Sequence, residues 1–308
     1  MEPRHGDWPR PKPKRVLRGA EVITAQPGSG PTVLRILLGS QLRLLREVKG
    51  ITREEAGYAI RASGSKISRM ELGRVSFKER DVTDLLKLYG VDEDETATLV
   101  ALAIQANSPG WWHKYGDVLP DWFQVYVGLE EAASLIRLYE VQFVPGLLQT
   151  ADYARAVVRL GQPGAAPEEI ERRISLRMGR QELLTKPGGP RLWAIVDEAA
   201  LRRPIGGAAV MRAQVEHLLE ITQLRHVNVQ VLPFRAGGHR AGGGPVTLLR
   251  FAGDNLPDVA YLEQLNSAVY PSSPSDLACY RDVLNQLATE ADPPIASTTF
   301  LNQIRNQL

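Results

Sequence analysis

Apolar residues recur at helical spacing from residue 33 onward. In "VLRILLGSQLRLLREVKG", Leu34, Leu37, Leu38, Leu42 and Leu45 share one face, Arg43, Arg46 and Lys49 lie elsewhere, and Gly50 ends the run. Thr52 precedes "REEAGYAI" with Glu55 three residues on, the spacing of a capping box, and Arg53 takes the first helical position. After the turn "RAS", Ser63 is placed to cap "GSKISRMEL", which Gly73 closes. A fourth segment, "KERDVTDLLKLYG", turns Val82, Leu85, Leu86 and Tyr89 to one side. A fifth, "DEDETATLVALAIQAN", opens on the acids that a helix N-terminus favours. Five short helices predict an all-α domain over residues 31–107.

The pattern then breaks. "SPGWWHKYGDVLPDW" (108–122), with its Pro, Gly and aromatic residues, reads as a domain junction. Beyond it, helical spacing fits 122–139, 150–160, 167–184, 207–224, 274–290 and 296–306. Short β-branched runs bounded by Gly or Pro lie at 192–197, 227–234, 246–251 and 258–263. They predict a mixed α/β domain with a small sheet over 123–308, so the chain as a whole is expected to be α+β and multidomain. Residues 1–30, with "PRPKPKRVLRG" and "AQPGSGP", have the composition of a flexible basic tail.

The formal net charge of +2 over 308 residues conceals an asymmetry. Residues 1–90 hold 18 Lys and Arg against 10 Asp and Glu, a net of +8; residues 91–308 hold 19 against 25, a net of −6. A basic front and an acidic back point to different partners for the two parts. The lone Cys279 excludes a disulfide framework and a cysteine-rich zinc site. No apolar run approaches the ~20 residues of a membrane span, and the polar, proline-rich opening lacks the apolar core of a secretory leader. A soluble, cytoplasmic protein without a membrane partner is expected.

Signs of chemistry are few. His5, His113, His217, His226 and His239 show no metal-ligand spacing, and there is no G-x-S-x-G elbow or phosphate loop, so no catalytic residue, metal or cofactor is assigned. Glu263 at one strand end and Asp197–Glu198 at another could share a cleft, although strand-end acids are common. Arg172, Arg173, Arg177 and Arg180 line one helix; that face reads as solvated or salt-bridged before it reads as an anion site. "RAGGHRAGGGP" (235–245) joins two strands and reads as a flexible hairpin loop rather than an anion cradle.

The stretch 52–74 carries more. A helix–turn–helix packs two short helices across one another and lays the second in the DNA major groove. Small residues are needed where they touch, and Ala56 and Gly57 supply them. Apolar residues must point inward, as Ile60, Ile67 and Met70 do. The N-terminal face of the second helix must be polar and free of acids, which fits Gly64, Ser65, Lys66, Ser68 and Arg69. A helix N-terminus also favours phosphate oxygens.

"TREEAGYAIRASGSKISRMELGR" resembles the helix–turn–helix of the XRE regulators, the group related to phage lambda repressor and Cro. Thr52, Glu54, Glu55, Ser63, Ser65, Ile67, Ser68, Arg69, Glu71, Gly73 and Arg74 fall in register with the family's usual run. Arg53 replaces its Gln, Ala56–Gly57 its Leu–Ala pair, and Arg61 its turn glycine. The resemblance implies a lambda-repressor-like five-helix domain that binds a double-stranded DNA operator as a homodimer. Ser65, Ser68 and Arg69 would reach base edges. Arg53, Gly64, Lys66 and Arg74 would hold the DNA backbone, and Thr52 and Ser63 would cap the helices. Glu71 is expected to be structural.

Four later stretches, within 139–157, 172–184, 192–220 and 227–239, are similar to a domain of unknown function that follows such helix–turn–helix domains in actinobacterial, especially Streptomyces-type, regulators. The resemblance implies a transcription regulator whose C-terminal domain senses a small-molecule effector or a small protein partner encoded nearby. The alternative is a toxin–antitoxin-like module with a nucleotide-dependent group transferase at its C-terminus. A third reading, a scaffold that no longer binds DNA, is opposed by Ser65, Arg69 and Arg74.

Overall fold

Leucines at helical spacing give the first helix its buried face. In the computed structural model, which describes residues 30–252, 256–271 and 273–308, α1 (Pro31–Val48) buries Leu34, Leu37, Leu38, Leu42 and Leu45. The expected basic tail, apart from Gly30, lies outside the described residues. Four helices follow: α2 (Arg53–Ala59), α3 (Gly64–Glu71), α4 (Glu79–Tyr89) and α5 (Glu93–Ala106). The capping box forms as its spacing requires: Thr52 N–H donates to Glu55 Oε2 at 2.7 Å, and Glu55 N–H to Thr52 Oγ1 at 3.2 Å. Ser63 Oγ accepts from Lys66 N–H at 3.3 Å. Ile67 and Met70 join Phe77, Val82, Leu86, Tyr89 and Leu99 in one core.

Two close approaches fix this bundle. A Cβ on Gly57 would lie 2.7 Å from the Ala62 carbonyl, so only glycine lets α2 meet the turn into α3. A Cβ on Gly39 would lie 2.4 Å from the Met70 carbonyl, where α1 crosses α3. Arg61, in the turn, is the one non-glycine residue with positive φ among the described residues, at 55°. The XRE pattern places glycine there, which adopts this conformation without the Cβ crowding that an L side chain meets.

The segment read as a junction is packed. A 3-10 turn (Trp111–Tyr115) drives Trp112 to 1% exposure against Leu119, Val127 and Leu176. The helix expected over 122–139 is instead two elements: α6 (Asp121–Ala132) stops, Ala133 is extended, and β1 (Leu135–Glu140) follows. "EEAASLIRLYE" suits a helix locally, but its second half pairs on both sides with distant strands, and that non-local pairing overrides local preference. α7 (Ala151–Gly161), α8 (Pro167–Gln181), β2 (Arg191–Asp197), α9 (Glu198–Arg202), α10 (Ala208–Ile221) and β3 (Val227–Leu232) come next. β4 (Val246–Arg250), β5 (Val259–Glu263), β6 (Ala268–Val269), α11 (Pro274–Glu290) and α12 (Pro294–Gln307) complete the order.

The sheet runs β3-β2-β1-β4-β5-β6; β1, β2 and β3 are parallel, and β4 to β6 add antiparallel. Its residues alternate between two cores. Ile136 and Leu138 face α6, α10 and α12, whereas Tyr139, Val246 and Leu248 face α11. The glycine-rich segment 235–245 is therefore not a hairpin loop. β4 pairs with β1 and β5 rather than β3, so the segment crosses the ends of β2 and β1. The two domains are α-helical and mixed α/β, as the pattern implied, and α1 packs on α6: a Cβ on Gly128 would lie 2.1 Å from Thr32 Oγ1.

Gly39→Ala is expected to cost about 2 kcal/mol or more, because backbone on both sides blocks relief. Hydrogen exchange should show the loss of protection in α1 and α3, with α10 unaffected.

Candidate functional site

Two places collect functional side chains. The first is α3. Ser65 and Arg69 face solvent, and their side chains have no hydrogen-bond or ion-pair partner among the described residues. Ser68 is half-buried beside them. Lys66 leans toward α4, where Nζ meets Asp81 Oδ2 at 2.5 Å. Gly64 sits over Glu54, whose Oε1 would be 2.7 Å from an added Cβ. Arg74 is exposed and lies near the C-terminal domain. Burial raises the Tyr270 phenol, with Glu263 adding to the rise, and Arg74's charge opposes it.

Behind that face is a buried acid. Glu71, with 2% of its side chain exposed, accepts from Arg46 Nε, from Arg46 Nη2 at 3.2 Å and from Arg53 Nε at 3.0 Å. Arg46 also donates to the Ile51 carbonyl at 2.8 Å, and the Glu71 hydrogen bond raises its pKa. The expected structural role of Glu71 is thus met by two arginines. One of them, Arg53, faces the protein as well as solvent. Arg46 is not on the polar side of α1. It follows Leu42 by four residues, a spacing that places it on the buried face.

The second place is a cavity of about 310 Å³ at the carboxyl end of β1. The register builds it. Leu138, Thr247 and Tyr261 pair in a row across β1, β4 and β5. Two residues further on, the same face carries Glu140 and Glu263, two strands apart and thus ~10 Å at the backbone. α8 covers them with Arg177 and Arg180, and α6 with Phe123, Tyr126 and Glu130. Carboxyl ends of strands where the order changes direction are where open α/β sheets hold ligands.

Charge in this cavity is unevenly settled. Arg180 forks onto Glu130 with two 2.8 Å bonds, both side chains nearly inaccessible, and stacks over Phe123 at 4.9 Å. Burial works against the Arg180 charge, yet Glu130 outweighs it and raises the pKa. Glu140 is half-buried and lines the cavity. Burial, then the like charge of Glu263, pushes its carboxyl up to about 8, with Arg177 partly opposing. Burial and repulsion from Arg180 push Arg177 down to about 10. Burial raises the Tyr261 phenol, whose O–H donates to Glu263 Oε2 at 3.0 Å.

The arginine row of α8 is salt-bridged more than solvated. Arg172 forks onto Asp117, and Arg173 holds Glu169 at 2.7 Å. The other strand-end acids do not line the cavity with Glu263. Asp197 caps α9 through Ala199 N–H at 2.8 Å and accepts from Tyr139 O–H at 3.1 Å on the α11 side of the sheet. Glu198 pairs with Arg202 at 2.5 Å and accepts from Phe234 N–H. Strand alternation separates them: Tyr139 and Glu140 are neighbours in sequence and point to opposite faces. The sequence does not single out Glu140, because its segment has helical spacing and becomes β1 only by pairing with distant strands.

No helix of the described residues is long and apolar enough to cross a membrane. Residues 37–99 match a family described as Helix-turn-helix domain, and residues 123–303 match one described as Domain of unknown function (DUF5753). Comparison with curated proteins and with solved structures finds no match.

Removing Glu71 strands a buried guanidinium. Glu71→Ala is expected to destabilise by about 3–5 kcal/mol, read from thermal unfolding. Between 4.5 and about 8, folded Glu140 holds a proton that the unfolded chain has released, so stability falls as pH rises through that window. Glu140→Gln should remove the fall, leaving melting temperatures nearly unchanged near pH 4 and raised at about pH 9.

Proposed function

From a chain that belongs to the DUF5753 family and carries a helix-turn-helix domain ahead of that region, we infer a sequence-specific transcription regulator of the XRE type. The helix-turn-helix domain supports DNA binding. The observation that carries the finer reading is the presentation of Ser65 and Arg69. Both project from an acid-free helix face whose reverse side, Ile67, Met70 and Glu71, is anchored in the bundle.

In this reading α3 enters the major groove. Arg69 pairs with a base edge, Ser65 and Ser68 stand beside it, and Arg74, Lys66 and Arg53 meet phosphates. One such domain makes few contacts, so the regulator acts as a cytoplasmic homodimer on half-sites ~34 Å apart. The C-terminal domain serves as the sensing part, taking a small effector or a small protein partner without chemistry. An operator response requires that this effector bind the two dimer states with unequal affinity.

The rival reading, a nucleotide-dependent group transferase in a toxin–antitoxin-like module, draws on the raised carboxyl of Glu140 beside Glu263. Turnover of a labelled nucleotide that disappears in Glu140→Gln would favour it over ours.

Gel shifts across a salt series test the regulator. Arg69→Ala should relax sequence preference, at about 1–3 kcal/mol for a lost bidentate base contact. Lys66→Ala should weaken all sequences alike and lower the salt slope by about one phosphate contact. Because Asp81 then loses its partner, that variant should also melt slightly lower. Equal, sequence-blind losses in both variants would reject these roles.

A further inference from the structure

Three of the four arginines of α8 end on carboxylates: Arg172 on Asp117, Arg173 on Glu169 and Arg180 on Glu130. Arg177 does not. Its Nη1 donates to the amide oxygen of Gln149 at 2.7 Å, and among the described residues no carboxylate lies within ion-pair distance. A guanidinium has five N–H donors in a rigid fork, so most of those on Arg177 are left without a protein acceptor. It is half-buried, and the carboxylates whose charges reach it, Glu263 and Glu140, stand beyond ion-pair distance. The fold holds this cation in place and leaves it unpaired.

Arg177 lines both the 310 Å³ cavity and a neighbouring groove of about 560 Å³. The two hollows share Phe123, Val157, Arg177, Arg180 and Glu263. The groove has an apolar wall of Leu119, Trp122, Val158 and Leu176. A charged anchor thus sits where a polar cavity opens into an apolar groove. We propose that this cleft binds a small organic carboxylate, with Arg177 forking onto its carboxylate and its apolar body lying along Phe123, Leu119, Val158 and Leu176. The proposal rests on the C-terminal domain being the sensing part of the regulator, and names the class of effector.

The charge balance selects the head group. Facing Glu140 are Glu263 and Tyr261 from β5, Arg177 and Arg180 from α8, Glu130 and Tyr126 from α6, and Tyr153 from α7. Arg180 and Glu130 cancel one another. Burial and the neighbouring Glu263 push the Glu140 carboxyl up to about 8, which favours its protonated, hydrogen-bond-donating form at neutral pH. Arg177 then has only Glu263, at the mouth, to balance it. A single carboxylate suits this setting and matches the guanidinium fork. A dianionic phosphate would bring a second negative charge beside Glu263. An ammonium would meet two guanidinium groups and an acid that still holds its proton.

Isothermal titration of the full chain, without DNA, tests this with three probes: 4-phenylbutyrate, its cationic counterpart 4-phenylbutylamine, and inorganic phosphate. We expect saturable binding of 4-phenylbutyrate at millimolar concentration or below, and none of the other two. Arg177→Gln should weaken it by about tenfold or more, with Arg177→Lys between. Since 4-phenylbutyrate stays ionised, its affinity in the unaltered protein should fall as pH rises past about 8, and Glu140→Gln should flatten that profile. Should Arg177→Gln fail to fold, the pH profile of the unaltered protein decides. Preference for the amine, phosphate binding as well as 4-phenylbutyrate, an unchanged affinity in folded Arg177→Gln, or no binding of any probe would each overturn the proposal. A negative gel shift would sink the regulator and leave this result standing. Binding that leaves operator affinity unchanged would keep the cleft and remove its sensing role.

Discussion

The placement of α3 and of its outward polar face depends on one buried carboxylate. Glu71 closes α3, yet its oxygens are taken by Arg46 from α1 and Arg53 from α2. Three helices therefore converge on a single acid with 2% exposure. An isolated buried charge would cost more than it returned, but here each carboxylate oxygen has a charged donor. Gly39 lets the α1 backbone reach Met70, and the apolar side of α3 then fills the space below. Fixed in this way, the helix backbone that carries the outward residues Ser65 and Arg69 is held in place.

The same helix that steadies α3 touches the other domain. α1 crosses α3 at Gly39 and meets α6 where Thr32 faces Gly128. α6 in turn supplies Phe123, Tyr126 and Glu130 to the C-terminal cavity. A packed chain of contacts thus runs from the cavity through α6 and α1 to α3. Trp112 and the Arg172–Asp117 pair brace the intervening turn. That connection is short and made of well-buried residues, Thr32, Gly128 and Trp112 among them.

In the C-terminal domain, β1 does two jobs at once. Its pairing with β2 on one side and β4 on the other places it at the centre of the sheet. Its alternation then divides the polar chemistry of the domain. Tyr139 joins Asp197 and His239 on the α11 side, with 3.1 Å and 3.2 Å contacts at its hydroxyl. Glu140 joins Glu263 and Arg177 on the other. The first cluster is internally satisfied and holds the glycine-rich crossover against the sheet. The second is not, which is why the cavity reads as a place for something else.

What the sequence determined by itself was local or periodic. The leucine stripe of α1, the Thr52–Glu55 box, the Ser63 cap and the small pair Ala56–Gly57 are short-range devices, legible because helix spacing and capping act over a few residues. From them followed the helix–turn–helix, the polar face of α3 and the two-domain order. Tertiary structure decided what depends on distant partners. β1 could not be told from helix until β2 and β4 paired with it. The glycine-rich stretch could not be told from a hairpin until the strand order was known. Lys66 met Asp81, Arg46 met Glu71, and Arg177 was left without a carboxylate, only once helices far apart in sequence came together. Charge pairing and strand pairing are set by packing, and no window of neighbouring residues contains them.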